Sequence, residues 1–442
     1  MQQATNILRK SIMLVVIDLI AYVVLYLVNA LISKLVGPIE YGTYGLIINT
    51  LISMSALLMF GFDDSCDYFI PIYLSENKLG YLHGFLKFIF NIILYVGLPI
   101  IIIGLFFLFT SSFRDQNPVL IEFLKHLEVT HPAYLFLWAL PFLALFYILT
   151  PILYCINKPS MAALLRGVLF PMMQLAFLLP IYFLLGHLTI NHAIFAYTLA
   201  IVVIIGGQGY VLKKSFPKTT WQSPVQMEEK EWLGYSLPLF GTNILIACIN
   251  TTIFVILRFL HNQQAYLGYF MALITVSGFF FNYISYTVLG MFDNHISPPW
   301  NNKNYPALQK IVNLATYVLT AYAVMVCLFL GIFGKYMLSK FGHSYVAIYP
   351  SLMIYTVASA LNTATLVWTS LLELTENSGI ALKSTFISYI ILIIAVGFVS
   401  SMRLDFQYLA WAYAIYQISI FVINIYYLKK HVPEVSLIPV RL

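Results

Sequence analysis

The sequence predicts an all-α membrane protein with twelve transmembrane helices in two six-helix lobes. Of its 442 residues, 61% are hydrophobic and only 9% are charged, whereas soluble domains carry about 25% charged residues. Twelve apolar runs each approach the roughly 20 residues that a helix needs to cross a bilayer core. Because so few polar groups cannot cover a water-exposed surface, the apolar excess is expected to face lipid.

The twelve runs follow one another along the chain between short polar or Pro- and Gly-containing segments. They are continuously apolar, which favours helices over the alternating strands of a membrane barrel. The first run follows Arg9 and Lys10 as a signal peptide would, but its length favours a retained helix. The predicted spans are 12–32, 41–62, 85–108, 135–156, 161–185, 194–212, 234–257, 265–291, 311–333, 345–371, 380–399 and 409–427.

Orientation follows from the Lys and Arg residues, which are enriched in cytoplasmic loops. With a cytoplasmic N-terminus, seven of the 23 basic residues lie outside and the other 16 lie inside. An even number of spans returns the chain to the same side, so both termini are predicted to be cytoplasmic. The outer seven are Lys34, Arg114, Lys125, Arg258, Lys335, Lys340 and Arg403.

The connections between spans are short. The longest are 110–134 on the outside and 213–232 on the inside. Because enzymes of the cell envelope generally hold their catalytic residues on large outward loops, the sequence predicts a protein that is not an enzyme. Four cysteines without paired spacing and a scattered net charge of +6 give no sign of a disulfide scaffold or of nucleic-acid binding.

A charged connection near the midpoint divides the spans six and six. The predicted organisation is an N-terminal lobe at 1–212, a cytoplasmic linker at 213–233 that acts as a hinge, and a C-terminal lobe at 234–442. Weak internal similarity supports two copies: Tyr41-Gly42 opens the second span, and Leu267-Gly268-Tyr269 opens the eighth about half a chain length later. Six helices per copy preserve orientation, so the repeat would be parallel.

The residues that close the first span and open the second read Ser33-Lys34-Leu35-Val36-Gly37-Pro38-Ile39-Glu40-Tyr41-Gly42. This segment resembles the A-R-x-L-G-P-x-x-Y-G signature of polysaccharide flippases (O-antigen, capsule), the Wzx-type branch of the MOP (multidrug/oligosaccharidyl-lipid/polysaccharide) exporter superfamily. Leu237-Pro238, Leu267-Gly268-Tyr269 and Pro298-Pro299 fall where the second lobe of that family has similar residues. The resemblance therefore covers most of the chain.

The resemblance implies a MOP-exporter-like monomer in the bacterial cytoplasmic (inner) membrane. The activity that it implies is translocation of undecaprenyl-diphosphate-linked oligosaccharide repeat units by alternating access, for the biosynthesis of O-antigen, capsule or exopolysaccharide. Besides the lipid-linked oligosaccharide and membrane lipid, the expected partners are a polysaccharide polymerase and glycosyltransferases. No nucleic acid is expected.

Asp18 is the acid that lies most clearly inside a predicted span, about seven residues from its start and so roughly 10 Å deep. A carboxylate near the bilayer centre costs about 2.5 to 3.5 kcal/mol. Asp18 is therefore a candidate for coupling transport to a proton or sodium gradient, and a packing contact with a neighbouring Lys or Tyr is the alternative. No cofactor and no metal is expected, since the histidines lack metal-ligand spacing.

Substrate-binding residues are expected among the polar groups inside the spans, because sugar hydroxyls and a diphosphate need hydrogen-bonding and cationic partners. Arg166 and Arg258 suit phosphate oxygens, although either could extend to the membrane interface instead. Asn243 and Asn250 share one helix face, and packing between helices explains that pattern equally well. Pro238 is the candidate gate, because it bends the seventh span. The other cavity candidates are Asn49, Gln174 and Asn282.

Two other functions stay open. Multidrug cation antiporters of the same superfamily share the six-plus-six plan and an acid in the first span, a position that Asp18 fits. An intramembrane prenyltransferase is the third reading, because Asp63, Asp64 and Asp67 form a D-D-x-x-D turn that could hold magnesium against a prenyl diphosphate. Such enzymes use two aspartate-rich motifs, and the second candidate here is Asp293 alone.

Overall fold

The described part of the chain is mostly helical and contains no β-strand. The computed structural model describes residues 2–112, 136–156, 158–216, 218–260, 263–278, 302–374, 378–433, 435–436 and scattered residues between 280 and 300. Asn282, Asp293, Pro298 and most of the outer connection 110–134 lie outside the described residues. The predicted all-α fold is confirmed.

The α-helices are numbered here in chain order. They are α1 (Gln2–Met59), α2 (Phe62–Ser75), α3 (Leu79–Ser112), α4 (Leu140–Cys155), α5 (Pro159–Ala163), α6 (Phe170–Leu185), α7 (Ile190–Ser215), α8 (Lys218–Gln222), α9 (Glu229–Leu260), α10 (Ala265–Leu273), α11 (Tyr305–Phe341), α12 (Tyr349–Ala364), α13 (Leu366–Leu374), α14 (Ser378–Ser401) and α15 (Phe406–His431). Two π-helical segments, Leu164–Leu169 and Ile274–Gly278, continue α5 and α10.

Ten helical segments in the described residues are long and apolar enough to cross a membrane, and a shorter apolar helix covers Ala265–Gly278. One of the ten, Met13–Met59, contains the first two predicted spans. Each of the twelve predicted spans therefore has a helical counterpart, although the eighth is described mainly at its start. The protein is a multi-pass membrane protein.

The first two predicted spans are separated by a local break at Gly37, whose φ of 82° and ψ of 170° are not helical. Pro38 follows it and disfavours helical geometry in the residue before it. Glycine adopts a positive φ without steric cost. The Gly37-Pro38 step therefore ends one span and starts the next without a loop.

Contacts divide the chain into two compact units. The split unit combines Met1–Gly42 with Thr252–Leu442, and the continuous unit is Thr43–Thr251. These units differ from the predicted lobes in the placement of 1–42 and 234–251. The division of the spans into six and six stays a prediction.

In the split unit, hydroxyl groups attach α1 to helices from the C-terminal half of the sequence. The Tyr22 hydroxyl donates to the carbonyl of Val276 at 3.0 Å. Ser33 Oγ lies 2.7 Å from the Tyr345 hydroxyl, and both residues are almost completely buried. Buried polar groups of this kind are stable only when paired, so these bonds fix which face of α1 packs inward.

Two glycines from the repeated motifs meet in the same unit. A Cβ placed on Gly268 would lie 2.0 Å from the carbonyl oxygen of Pro38, and one on Gly42 would lie 2.3 Å from the backbone nitrogen of Gly268. The backbones of the two motifs are therefore in direct contact, a separation that only glycine permits.

In the continuous unit, the predicted linker is attached to α2 and α3. The backbone N–H of Gln226 donates to the carbonyl of Gly80 at 3.1 Å, and a Cβ on Gly84 would lie 1.8 Å from the Gln226 carbonyl oxygen. Trp232 is fully buried, and its indole N–H donates to the hydroxyl of Tyr73 at 2.8 Å. The role of the linker as a hinge between lobes stays a prediction.

Candidate functional site

The candidate site lies in the continuous unit, where the first turn of α2 meets α9. The Asn243 amide donates to both carboxylate oxygens of Asp63 at 3.3 Å and to Asp64 Oδ2 at 3.0 Å. Residues 63 and 64 follow the second span directly, and the orientation predicted from the Lys and Arg residues would place them at its cytoplasmic end. We call Asp63, Asp64 and Asn243 the carboxylate–amide clasp.

The local sequence explains why the two acids lie at this point. Gly61 adopts a left-handed conformation with a φ of 75° and starts α2 in a new direction. Asp63 and Asp64 occupy the first turn of α2, where the free backbone N–H groups and the helix dipole favour negative charge. The chain thus uses a glycine break to present two adjacent carboxylates to another helix.

Electrostatics at the clasp favour protonation of the carboxylates. Burial raises the pKa of Asp63 to about 6, and the neighbouring charge of Asp64 adds to the shift. Burial also raises the pKa of Asp64, while its bond from Asn243 opposes that shift. Helix α2 is not one of the candidate membrane spans.

A stacked aromatic pair flanks the clasp. The rings of Tyr68 on α2 and Tyr235 on α9 lie 4.4 Å apart with an interplanar angle of 17°. Both residues are partly exposed, at 45% and 39%. Tyr235 interacts electrostatically with Asp64, so acidic and aromatic groups lie next to each other at this point.

Asp67 has a different partner from the other two acids. Its Oδ1 accepts a bond from the thiol of Cys155 on α4 at 3.2 Å. No group of three or more His, Cys, Asp or Glu side chains in the described ranges is arranged to hold a metal ion. The three acids of the D-D-x-x-D motif all lie on α2 but bond to two different helices, α9 and α4, a geometry that lends no support to the prenyltransferase alternative.

We expect Asp63→Asn to stabilise the protein at pH 7.5 and to flatten its pH dependence. A folded-state pKa raised from 3.8 to about 6 means that Asp63 stabilises the fold below its unfolded pKa, and this contribution is lost as the pH rises through 6. The asparagine variant imitates the protonated acid. A gain of about 1 kcal/mol would raise the melting temperature by about 2 °C, measured by thermal unfolding in detergent between pH 5 and 8.

Glu76→Gln at the far end of α2 serves as the control for this prediction. Glu76 is half exposed and forms an ion pair with Lys78 at 2.6 Å, and such surface pairs contribute little to stability. If the melting temperatures of wild type and Asp63→Asn depend on pH in the same way, the pKa of Asp63 is not raised in the folded protein.

The other predicted residues in the continuous unit are spread over several helices. Gln174 is buried and donates to the Tyr44 hydroxyl at 2.9 Å. Asn49 donates to the Gly45 carbonyl within its own helix at 2.8 Å. The Arg166 guanidinium lies 4.9 Å from the centre of the Tyr147 ring, within a π-helical segment of the kind common at functional sites.

The remaining predictions fall on α1 and α9. Asp18 is half-buried on α1 and interacts electrostatically with Tyr322 of α11, so the packing alternative has a candidate partner. Asn250 and Arg258 are partly exposed along α9, and Pro238 is exposed within it. The roles predicted for these residues in binding, coupling and gating stay predictions.

Sequence reasoning did not predict the clasp. It treated Asp63 and Asp64 as a magnesium motif and Asn243 as a cavity residue. The residues of the clasp are about 180 positions apart. The available signal was weak: Asp63 and Asp64 follow the predicted end of the second span, whereas Asn243 lies nine residues inside the predicted seventh span.

Solved structures with a similar fold cover almost the whole chain. The inward-facing conformation of a multidrug resistance MATE family transporter of the MOP superfamily aligns with 96% of this chain and 98% of its own, with a TM-score of 0.72 and 14% sequence identity. The chain has the MOP-transporter fold. The MATE multidrug transporter DinF-BH aligns over 96% of this chain and 95% of its own, with a TM-score of 0.69 and 16% identity.

A third structure with the MOP-transporter fold is a MOP superfamily transporter from Pyrococcus furiosus, for which a reverse polarity of the binding pocket suggests a different function. It aligns over 97% of this chain and 96% of its own, with a TM-score of 0.63 and 14% identity. Neither a protein-family model nor a curated protein matches the sequence. At these identities the likeness establishes the fold alone.

Proposed function

We propose that this protein is a transporter that moves a lipid-linked oligosaccharide across the membrane by alternating access. The observation that carries the transport proposal is the MOP-transporter fold over 96% of the chain. The choice of a lipid-linked oligosaccharide as the substrate rests on the resemblance of residues 33–42 to the flippase signature. Such a protein would not be an enzyme, and a proton or a sodium ion would drive it.

Arg166 is the residue that we assign to the diphosphate group of the substrate. Its planar guanidinium is oriented by the Tyr147 ring, and a guanidinium can bind two phosphate oxygens at once. Gln174 follows Arg166 closely in the sequence and is buried on α6. Its amide donates a hydrogen bond that holds the hydroxyl of Tyr44 in place.

Cation-coupled multidrug antiport is the second candidate function. The observation that favours it is the clasp of Asp63 and Asp64 beside the stacked rings of Tyr68 and Tyr235. Negative charge next to aromatic faces suits an organic cation. Two of the similar structures are named as multidrug transporters.

We expect Arg166→Gln to lower oligosaccharide translocation about ten-fold, because a charged hydrogen bond contributes about 1.5 to 3 kcal/mol. The assay uses proteoliposomes containing a fluorescent undecaprenyl-diphosphate-linked oligosaccharide and follows its appearance in the opposite leaflet. Arg166→Lys should recover part of the rate, and Lys158→Gln, at an exposed position, should leave the rate unchanged.

The same vesicles separate the two candidate functions. Efflux of a cationic dye driven by an ion gradient, together with no movement of the lipid-linked oligosaccharide, would replace the first candidate with the second. In a host that makes a surface polysaccharide, gene deletion should cause lipid-linked repeat units to accumulate on the cytoplasmic side.

A further inference from the structure

Two interruptions of helical structure lie side by side in the continuous unit. Phe60 and Gly61, with φ of 51° and 75°, break the chain between α1 and α2. Pro238 weakens α9, because it lacks an N–H and its ring crowds the preceding turn. A Cβ on Gly61 would lie 2.3 Å from the carbonyl oxygen of Ser236 and 2.9 Å from the nitrogen of Phe240. Gly61 therefore contacts the turn of α9 that contains Pro238.

On the cytoplasmic side of these interruptions, α2 is joined to residues 229–237 of α9. The hydroxyl oxygens of Ser65 and Ser236 lie 2.6 Å apart, and the Trp232 indole donates to Tyr73 at 2.8 Å. The stacked aromatic pair described above lies between these two contacts. We call α2 together with residues 229–237 the cytoplasmic pair.

On the membrane side, residues 43–59 are joined to residues 239–251 by a separate set of bonds. Ser53 Oγ lies 2.7 Å from the carbonyl oxygen of Ala247 and 2.7 Å from Thr251 Oγ1. We call these two segments the span pair. Each pair thus has its own internal bonds.

The carboxylate–amide clasp connects one pair to the other. Asn243 belongs to the span pair, whereas Asp63 and Asp64 belong to the cytoplasmic pair. The two adjacent carboxylates repel each other, and this repulsion offsets part of the stabilisation that the bonds from Asn243 provide. The connection can therefore open without disturbing the bonds inside either pair.

We propose that Gly61 and Pro238 form a paired hinge about which the cytoplasmic pair turns as one body, and that the clasp holds this hinge in the conformation described here. The inference rests on the proposed transport function, for which it supplies a gate at the cytoplasmic end of the second and seventh spans. It also assigns the two aspartates a positioning role that the sequence did not indicate.

The hinge can be observed by measuring the distance between spin labels attached at residues 75 and 246, which are exposed positions in the two pairs. The labels are placed in a chain whose four native cysteines are replaced. We expect one narrow distance distribution in this background and a second population, about a fifth or more of the molecules, after Asn243→Ala. Asn250→Ala, two turns further along α9, should keep the single population.

A single narrow distribution in the Asn243→Ala variant would overturn the paired hinge. If the cysteine-free chain does not fold, genetically encoded fluorophores at the same two positions of the native chain give the equivalent energy-transfer measurement, with the same expected outcomes.

A cross-link tests whether the cytoplasmic pair moves as one body. Ser65→Cys with Ser236→Cys places two thiols where the hydroxyls are 2.6 Å apart, within reach of a disulfide after a small adjustment. Oxidation should leave at least half of the transport rate, as should oxidation of the matched pair Ser53→Cys with Thr251→Cys. A ten-fold loss that a reductant reverses, confined to the 65–236 pair, would show that α2 and α9 separate and would refute the proposal.

The distance measurement needs no substrate, so it distinguishes this inference from the proposed function. A second population in Asn243→Ala together with no oligosaccharide transport would support the paired hinge and contradict the oligosaccharide as the substrate. Transport with a single population in every variant would retain the proposed function and reject the hinge.

Discussion

Gly268→Ala is expected to prevent the protein from accumulating in its folded form. The added methyl group would lie 2.0 Å from the Pro38 carbonyl oxygen, so the backbone of one motif would have to move away from the other. Overpacking in a well-packed core typically costs 1 to 3 kcal/mol, and a clash with backbone rather than with a side chain places this variant at about 3 kcal/mol or more. The measurement is the yield of monodisperse protein in size-exclusion chromatography, together with its melting temperature.

Gly206→Ala is the matched control for this expectation. Gly206 also lies in a membrane helix, α7, but no atom lies within 4 Å of a Cβ built on it. This variant should be as stable as wild type or slightly more stable, because alanine favours helices over glycine by about 1 kcal/mol. Equal yields for both variants would mean that the two motifs do not touch.

Trp232→Ala is the second variant with a large expected effect. Trp232 lies on α9 and is fully buried against the packed ends of α2 and α3. Its loss also leaves the Tyr73 hydroxyl without its indole donor. Removing a buried tryptophan costs about 3 to 5 kcal/mol. We expect a large fall in melting temperature and rapid proteolytic cleavage within residues 213–232, which would no longer be held to α3.

Trp221→Ala provides the comparison within the same segment. Trp221 is 42% exposed and contacts His83 and Phe216 through ring edges, so its removal should cost about 1 kcal/mol and leave the segment protected. Proteolysis at equal rates in the two variants would show that Trp232 does not anchor the segment.

The helical spans could be read from the sequence because the bilayer imposes a local rule. A helix that crosses about 30 Å of hydrocarbon needs roughly 20 apolar residues in succession, and each span carries this signal within itself. The π-helical segment at Leu164–Leu169 was not predicted, because it inserts a local change into an otherwise uniform apolar run.

The candidate site could be read only in part. Asp63 and Asp64 were conspicuous as acids, and Asn243 was conspicuous as an amide inside a span. Their bonds join residues 180 and 179 positions apart. Which polar residues meet depends on how the helices pack against one another, and no local pattern encodes that packing.

The sequence by itself determined that this protein is an all-helical, multi-pass membrane protein, roughly where its spans begin and end, and a resemblance to one transporter superfamily. Those properties follow from hydropathy, charge placement and short motifs, each of which is legible over a few tens of residues. Only the tertiary structure decided that Gly42 and Gly268 touch, that Trp232 anchors the linker to α2 and α3, and that Asn243 holds Asp63 and Asp64. The reason is physical: a glycine contact leaves no side-chain signal, and a hydrogen bond between distant helices depends on packing across the whole unit.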